Sequence, residues 1–341
     1  MFIISEDWYF VSHRLFLAKA AIMSGNKVVL LSHFTEHRDI IEAEGIKTID
    51  WPLDRSSKNP FKEIDALKKV FSTIRKLQPS IIYSVGMKPV LYSAIASVFA
   101  GFKKNIFALA GLGYVFTSNN KSAKLLRPLL EGVFKLIFRG KKKRLILQNP
   151  EDKNALLSAN IINPNNVRLI RGAGVDTQSF NVKPIPSPPP IITLPSRMLW
   201  AKGIQDFIVC AKEINKVSKI ARFVLVGSPD VQNPDAIPIE MLEDWNNNGV
   251  VEWWGHQNNM PNVLHQSTIV CLPTSYGEGL PKCLLEAASC GRPIVTYDVP
   301  GCREIVIDGY NGFLVEPKSV DGLVGAISKL LNARELWIKM G

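Results

Sequence analysis

The first half of the chain alternates short aliphatic runs with longer segments in which apolar residues recur every three or four positions. The short runs predict buried strands, and the longer segments predict amphipathic helices. Such alternation is typical of a parallel sheet that is covered by helices on both faces. The predicted strands of this half are Phe2–Ser5, Lys27–Ser32, Lys47–Asp50, Ile81–Ser84, Ile106–Leu109, Arg144–Leu147 and Val167–Ile170.

The same pattern restarts after a proline-rich break. Five of the eight residues from 183 to 190 are proline, and proline lacks the backbone donor that an interior strand or helix needs. We therefore predict an N-terminal domain at 1–180, a linker at 181–190 and a C-terminal domain at 191–341. The predicted strands of the second half are Ile191–Pro195, Arg222–Val226, Val250–Trp253, Ile269–Leu272 and Pro293–Tyr297.

The fold class that follows is α/β, with two doubly wound, Rossmann-like domains. A length of 341 residues agrees with this division, because single hydrophobic cores rarely grow that large. In open sheets of this kind, ligands bind outside the carboxyl ends of the strands. Two parallel sheets facing each other across a cleft would suit a reaction between a nucleotide-bearing donor and a separate acceptor.

Charge is distributed unevenly along the chain. Residues 1–180 contain 27 Lys/Arg and 14 Asp/Glu, whereas residues 181–341 contain 14 Lys/Arg and 16 Asp/Glu. A basic half beside a near-neutral half indicates that only the first half meets an anionic surface. No apolar run approaches the roughly 20 residues that span a bilayer, and no signal peptide is evident. We therefore expect a cytoplasmic protein.

The five cysteines give no sign of a metal site. They form no CxxC pair, and their spacing matches no zinc pattern. We interpret them as buried, reduced thiols in preference to metal ligands. The sequence also contains no Asp-x-Asp motif. We therefore predict neither a metal nor another cofactor.

The segment Ser275–Glu286 carries the strongest chemical signal. It follows the apolar strand Ile269–Leu272 and contains Gly279 and, at the expected start of a helix, Pro281. Glycine lets a backbone approach a ligand closely, and proline suits the first helical turn. The backbone amides at the start of that helix would form a diphosphate seat.

Two carboxylates, Glu278 and Glu286, lie in this segment. The first lies in the loop and the second lies within the predicted helix, so both can face the cleft and accept hydrogen bonds from sugar hydroxyls. The alternative is a helix with two solvated glutamates. The strand, the glycines and the proline that accompany the carboxylates favour the ligand site.

These residues resemble retaining glycosyltransferase family 4, whose members have the GT-B fold. The family's Glu-x7-Glu motif matches Glu278 and Glu286, and its Arg-x4-Lys phosphate clamp matches Arg197 and Lys202. Its second-domain strands match Arg222–Gly227 and Val251–Gly255, and its segment leading into the linker matches Gly172–Phe180, so the resemblance covers nearly the whole chain.

The resemblance also implies roles for individual residues. It assigns Glu286 to the nucleotide ribose and Glu278 to the donor sugar. It places the base near Gly255. The diphosphate seat expected from the backbone amides is formed by Gly279, Leu280 and Pro281.

Arg197 and Lys202 also have a physical case. The leaving diphosphate gains charge as the glycosidic bond breaks, and fixed cations there stabilise the transition state more than the ground state. The alternative is a pair of solvated surface cations. The resemblance implies front-face displacement, in which the leaving phosphate assists deprotonation of the acceptor, without a metal.

The acceptor side is marked less clearly. His13 is expected in a loop between the first strand and the first helix, where it could orient the acceptor or transfer a proton; the alternative is an exposed imidazole in a helix-capping loop. Family members often carry a histidine after a mid-domain strand, but the corresponding loop here has none. In its place, Gly111 and Gly113 would allow the backbone to approach the substrate.

A basic amphipathic segment at Lys121–Arg144 suggests membrane contact. It contains nine Lys/Arg and one acid, and its apolar residues recur at helical spacing. Such a helix can lie on the anionic cytoplasmic leaflet, which would make the protein peripheral on the inner face of the cell membrane. The alternative is an ordinary helix packed on the core.

We therefore predict a retaining hexosyltransferase that moves a sugar, from UDP-hexose or UDP-N-acetylhexosamine, to a lipid-linked saccharide in surface-glycan biosynthesis. The segments Ile3–Leu15 and Gly111–Phe116 look like family members that act on polyprenyl diphosphates. The alternatives are a sugar-nucleotide epimerase on the same fold and a basic nucleic-acid-binding module, although no nucleic-acid motif is present. The resembling proteins continue for one or two helices beyond Lys339, so we expect this chain to be truncated.

Overall fold

The computed structural model describes residues 1–54, 59–112, 121–138, 143–275 and 277–341. The chain divides into two compact units, Met1–Ala173 and Gly174–Gly341. Each unit has its own sheet and its own hydrophobic core.

The first unit contains a seven-stranded sheet in the order β3-β2-β1-β4-β5-β6-β7, and every pair of neighbouring strands is parallel. All seven predicted strands are confirmed to within two residues at each end. They are β1 (Phe2–Glu6), β2 (Val29–His33), β3 (Lys47–Asp50), β4 (Ile82–Val85), β5 (Asn105–Ala108), β6 (Lys143–Leu147) and β7 (Val167–Leu169).

The helices of the first unit cover both faces of its sheet. Two separate clusters of buried apolar side chains, one on each face, show this. One difference from the expectation is that a helix follows β1 at once, with an acid in its first turn, where an N-terminal helix dipole favours negative charge. The helices are Asp7–His13, Leu15–Met23, Arg38–Ala43, Pro60–Leu77, Met87–Phe99, Lys121–Phe138 and Pro150–Ser158.

The second unit contains a six-stranded parallel sheet in the order β10-β9-β8-β11-β12-β13. The sequence analysis missed the edge strand β13, because it offers only three apolar residues after a glycine. The strands are β8 (Ile191–Pro195), β9 (Arg222–Val226), β10 (Glu252–Trp253), β11 (Ile269–Leu272), β12 (Ile294–Tyr297) and β13 (Gly312–Val315). The helices are Ile204–Ile214, Ile239–Asn247, Met260–Gln266, Lys282–Ser289, Val320–Asn332 and Arg334–Met340.

Each sheet has one point at which the strand order reverses direction. In the first unit it lies between β1 and β4, and in the second it lies between β8 and β11. Loops that leave neighbouring strands in opposite directions open a crevice at such a point, and ligands of doubly wound sheets bind there. In the second unit this crevice is bordered by the loops after β8 and β11.

The proline-rich segment packs on the second unit. The main-chain carbonyls of Phe180 and Pro184 accept hydrogen bonds from Ser289 Oγ, at 2.6 Å, and Arg292 Nη2, at 3.4 Å. Proline lacks an N–H group, but its carbonyl oxygen still accepts. The division between the units accordingly lies at residue 173, several residues before the prolines.

The basic helix Lys121–Phe138 corrects one expectation. Phe134, Ile137 and Phe138 belong to the predicted apolar stripe, but they are buried in the core of the first unit. The prediction that this stripe faces a membrane is therefore wrong for these three residues, because core packing already covers them. Among the described residues, no helix is long and apolar enough to cross a bilayer.

Candidate functional site

Two loops at the carboxyl edge of the second sheet are joined closely. Gly203 ends the turn after β8 with a φ of +75°, and a Cβ there would lie 1.9 Å from the carbonyl oxygen of Pro273, after β11. Only glycine fits this approach without displacing backbone. The Ser275 amide also donates to the Ala201 carbonyl at 3.2 Å. The two loops therefore form one surface at the reversal point of the sheet.

This surface brings together two residues that the sequence analysis selected from distant motifs. Lys202 Nζ contacts Glu278 Oε1 in an ion pair, and both side chains are about six-sevenths buried, with 15% and 14% exposed. The hydroxyl of Thr274 lies 3.1 Å from the same carboxylate oxygen. A partly buried cation and carboxylate at this edge can meet a phosphate oxygen and a sugar hydroxyl, respectively.

Arg197 has a different partner. Its Nη1 atom lies 2.7 Å from Asp230 Oδ2, in the loop after β9. The backbone supports the same approach, because the Met198 amide donates to the Ser228 carbonyl at 3.1 Å. The two cations of the predicted phosphate clamp are thus each held by a carboxylate, on the loops after β9 and β11.

Gly255 follows β10 and contacts the loop after β9. Its carbonyl accepts a 2.7 Å hydrogen bond from the Gly227 amide. A Cβ on Gly227 would lie 1.9 Å from the Ser196 carbonyl oxygen. The ends of β8, β9 and β10 are therefore packed backbone to backbone, and Gly255 contributes to this edge through its main chain.

Glu286 is buried in the helix Lys282–Ser289. Its Oε1 atom lies 2.9 Å from Lys282 Nζ, one turn earlier, and 8% of its side chain is exposed. Burial raises the pKa of Glu286, although the charge and hydrogen bond of Lys282 oppose that shift. A carboxylate in this setting can accept hydrogen bonds from hydroxyls once a ligand covers it.

The backbone before this helix is also closely packed. A Cβ on Gly301 would lie 2.6 Å from the Gly279 carbonyl oxygen and 2.7 Å from that of Glu278. Pro281 occupies the N-cap position, so the helix begins at Lys282, one residue later than expected. Leu280, between Gly279 and Pro281, is half-buried.

The glutamates share one electrostatic neighbourhood. The Cys283 thiol lies within reach of the charges of Glu286, Lys202 and Glu278, and its pKa is raised by burial first and by the glutamates second. All five cysteines are free thiols, and four of them are buried, whereas Cys283 is partly exposed. Among the described residues, no group of three or more His, Cys, Asp or Glu side chains could hold a metal ion.

At the reversal point of the first sheet, the conspicuous charge is Asp7. It accepts hydrogen bonds from the amides of Thr35 (2.7 Å), His37 (3.0 Å) and Trp8 (2.8 Å), and from the Thr35 hydroxyl (2.9 Å). Burial raises its pKa, but the hydrogen bonds led by Thr35 outweigh it, and the net shift is downward. This carboxylate closes the loop after β2.

The acceptor-side candidates that the structure describes, His13 and Gly111, follow different strands of the first sheet. His13 ends the helix Asp7–His13, not a loop, and its ring stacks on Tyr9 at 4.2 Å between centroids. Gly111 follows β5 with a φ of +132°. Gly113 lies outside the described residues. Since β4 separates β1 from β5, His13 and Gly111 do not leave neighbouring strands.

Sequence reasoning missed several residues on these edges. Asp152, after β6, is bound by Asn149 and by the backbone amide of Leu112, beside Gly111, and burial raises its pKa to about 6. In the second unit, Thr274 and Asp230 had no motif to mark them. Their positions in the loops that follow the predicted strands β11 and β9 were the available signal.

Comparison with protein families adds to this geometry. Residues 175–341 match the family described as glycosyl transferases group 1. Residues 1–149 match the family described as glycosyl transferase 4-like. Together the two matches leave only residues 150–174 outside, and the match at 175–341 includes all of the loops described above at the edge of β8 to β11.

Two relatives match over most of their length. The N,N'-diacetylbacillosaminyl-diphospho-undecaprenol alpha-1,3-N-acetylgalactosaminyltransferase of Campylobacter jejuni is 26% identical, over 96% of this chain and 88% of the relative. The UDP-Gal:alpha-D-GlcNAc-diphosphoundecaprenol alpha-1,3-galactosyltransferase of Escherichia coli is 25% identical, over 81% and 73%.

A solved structure shares the architecture. The crystal structure of Anabaena HepE in complex with UDP and glucose is 17% identical and superposes with a TM-score of 0.78, over 99% of this chain and 91% of that one. At this identity the likeness concerns the fold.

Proposed function

Because the chain belongs to the glycosyltransferases of group 1, with a glycosyltransferase 4-like first half and the GT-B fold, we propose that it transfers a hexosyl or N-acetylhexosaminyl group. The donor would be a uridine-diphosphate sugar and the acceptor a lipid-linked saccharide. The observation that carries this proposal is the Lys202–Glu278 pair at the reversal point of the second sheet.

The donor assignment rests on how the charges are distributed. Lys202 and Arg197 would bind the diphosphate, Glu278 the sugar hydroxyls, and the buried Glu286 the ribose hydroxyls. Each of these groups is held by an opposite charge in the structure. Diphosphate and hydroxyl groups can replace those partners without leaving a buried charge unpaired, which would otherwise be costly.

The proposed transfer needs no group beyond the substrates. The bond between the anomeric carbon and the donor diphosphate breaks, and a bond from that carbon to an acceptor oxygen forms on the same face. The acceptor hydroxyl gives its proton to the leaving diphosphate. Lys202 and Arg197 would stabilise the charge that develops on the diphosphate, so a metal is not part of the proposal.

The nature of the substrates is inferred from the relatives. The Campylobacter and Escherichia relatives are named for undecaprenyl-diphosphate acceptors, and the latter for UDP-Gal. The Anabaena structure contains UDP. These names favour a uridine nucleotide and a polyprenyl-diphosphate-linked saccharide. A lipid-linked acceptor would place the protein at a membrane leaflet, and we infer that it is the cytoplasmic one.

Contact with the leaflet is better supported at another helix than Lys121–Phe138. The helix Leu15–Met23 follows His13 after one residue and contains a single charged side chain. Phe16 is 83% exposed, Leu17 46% and Met23 87%. Exposed aromatic and aliphatic side chains of this kind bind by burial in the interfacial region of a bilayer, while the basic charge of residues 1–180 attracts anionic lipid.

The donor site is tested by nucleotide-sugar binding. We expect UDP-sugars to raise the thermal unfolding temperature of the wild type, and Glu286→Gln to lose most of that shift. Glu213→Gln, at an exposed carboxylate on another helix of the same unit, should keep it. A wild type that responds to no nucleotide sugar, or an equal response of Glu286→Gln, would refute the assignment.

The reaction is tested by product analysis. Turnover of a UDP-sugar only in the presence of a polyprenyl-diphosphate saccharide supports transfer. Conversion of the UDP-sugar into its epimer without an acceptor would establish the epimerase alternative. Salt-sensitive binding of oligonucleotides without any binding of nucleotide sugars would favour the nucleic-acid alternative.

The membrane surface is tested with vesicles. The double variant Phe16→Ser/Met23→Ser should bind vesicles of phosphatidylglycerol and phosphatidylcholine at least ~10-fold more weakly, since burying one large apolar side chain contributes about 1.5–3 kcal/mol. The matched control is Val98→Ser/Phe99→Ser, at side chains that are 66% and 74% exposed on another helix of the same unit. Equal binding by both double variants would contradict the proposed surface.

A further inference from the structure

Two donors among the described residues contact the same oxygen of Glu278. Its Oε1 atom contacts Lys202 Nζ and lies 3.1 Å from Thr274 Oγ1. Thr274 is fully buried and follows β11 after one residue. One donor is therefore a charged group on a long flexible stem, and the other is a short hydroxyl anchored next to a central strand.

The same hydroxyl reaches the loop that carries Lys202. Thr274 Oγ1 lies 3.1 Å from the Ala201 carbonyl oxygen as well as 3.1 Å from the glutamate. A hydroxyl has one proton to donate, so the two acceptors share it. This buried side chain consequently connects the loop after β8 with the carboxylate of the loop after β11.

We propose that Thr274 is a positioning residue, which keeps the Glu278 carboxylate oriented toward the donor sugar when the diphosphate binds Lys202. This inference rests on the proposed donor site. A diphosphate is a strong competitor for an ammonium group because charge-assisted hydrogen bonds to phosphate are strong. Once Lys202 turns to the phosphate, the hydroxyl remains as a fixed donor to Glu278.

The geometry explains why a threonine serves this purpose. Groups that act on a substrate must be held to within about 0.5 Å of their productive position. Thr274 has no flexible stem, and burial and β-branching restrict its χ1 angle. A solvated partner would leave Glu278 free to follow Lys202 or to rotate away from the sugar.

The test compares three variants. Thr274→Val removes the hydroxyl at nearly constant volume, Thr274→Ser retains it, and Thr296→Val is the control. Thr296 is equally buried on the neighbouring strand β12, and its hydroxyl donates to the Leu272 carbonyl at 2.6 Å. We expect Thr274→Val to lower kcat by about 10-fold or more, from the typical value of a hydrogen bond to a charged group, with a smaller change in the KM for the donor. Thr274→Ser should restore most of kcat, and Thr296→Val should keep it.

A double-mutant cycle separates positioning from packing. If Thr274 acts through Glu278, Thr274→Val should have little further effect on kcat in a Glu278→Gln background. Thr274→Ala replaces the valine variant if that protein does not fold.

The inference is overturned if Thr274→Val lowers only the unfolding temperature, or if its effect on kcat is unchanged in the Glu278→Gln background. A wild type that binds no nucleotide sugar would instead refute the proposed function, which makes the two failures distinguishable.

Discussion

The two sheets reverse their strand order in the same way, but their carboxyl edges use acidic side chains differently. At β1 and β4, Asp7 is fully buried and receives four hydrogen bonds from its own unit. At β8 and β11, Glu278 is 14% exposed and is held by the side chains of Lys202 and Thr274. Three of the four donors to Asp7 are backbone amides, whereas one of the partners of Glu278 is a side-chain cation that a ligand can take.

This difference shows what an α/β topology decides. It selects the edge where loops diverge and a ligand can enter. The partners of each charge then decide whether that edge binds a ligand or closes a loop. A carboxylate bound by backbone amides contributes to stability, whereas one bound by a movable side chain remains available for chemistry.

The largest effect on activity should come from a change at Lys202, the movable partner of Glu278. Lys202→Met should lower kcat for sugar transfer by about 10²–10³-fold, the usual result of removing one group that stabilises developing charge. Steady-state kinetics with a UDP-sugar measure this change. Lys216→Met, at a lysine that is 71% exposed in the same unit, is the control. If both variants retain wild-type kcat, Lys202 has no part in the reaction.

A change at Asp7, the fully hydrogen-bonded carboxylate, should affect the stability of the fold and not the reaction. Asp7→Asn should lower the free energy of unfolding by about 2–3 kcal/mol, because it weakens several hydrogen bonds to one buried charge. Urea unfolding measures this loss. The lowered pKa of Asp7 means that its stabilisation is present above the pKa of the unfolded carboxyl and is lost as pH falls through the folded pKa. Loss of UDP-sugar binding by a folded Asp7→Asn protein would contradict the comparison.

The smallest expected effect concerns a third carboxylate, that of Asp152. Burial raises the pKa of Asp152 to about 6, so the folded state binds its proton more tightly than the unfolded state does. The free energy of unfolding should therefore fall by about 1–3 kcal/mol between roughly pH 4 and pH 6 and then level off. Asp152→Asn should remove this slope from urea unfolding curves, while leaving the opposite, more acidic dependence of Asp7. A persistent slope in the variant would assign it to other groups.

Much of the fold was predictable from local pattern. The strands of both sheets are short apolar runs, and all but one of the described strands were found from them. The exception, β13, lies at a sheet edge and packs against β12 through Gly312, whose Cβ would lie 2.0 Å from the Ile294 carbonyl oxygen. When a neighbouring strand requires a glycine, the sequence around that glycine contains no pattern that predicts a strand.

The candidate site was predictable only in part. Arg197, Lys202 and Glu278 lie beside predicted strand ends, and the spacing of Glu278 and Glu286 matches a family motif, so together they predicted a donor site. The pairing of these residues was not predictable, since Lys202 and Glu278 are 76 positions apart. The apolar spacing within Lys121–Arg144 suggested a stripe that faces a membrane. The same spacing also suits a helix packed on a core, and Phe134 and Phe138 are buried in the core of the first unit.

The sequence by itself determined two parallel sheets, a basic first half and the residue types of the candidate donor site, because hydrophobic spacing, charge and glycine or proline positions are local properties. Only the tertiary structure decided that Lys202 binds Glu278, that Thr274 holds both loops and that Asp7 closes a loop. Those assignments depend on which strands are neighbours. Strand order brings distant segments within hydrogen-bonding distance, and no local pattern records it.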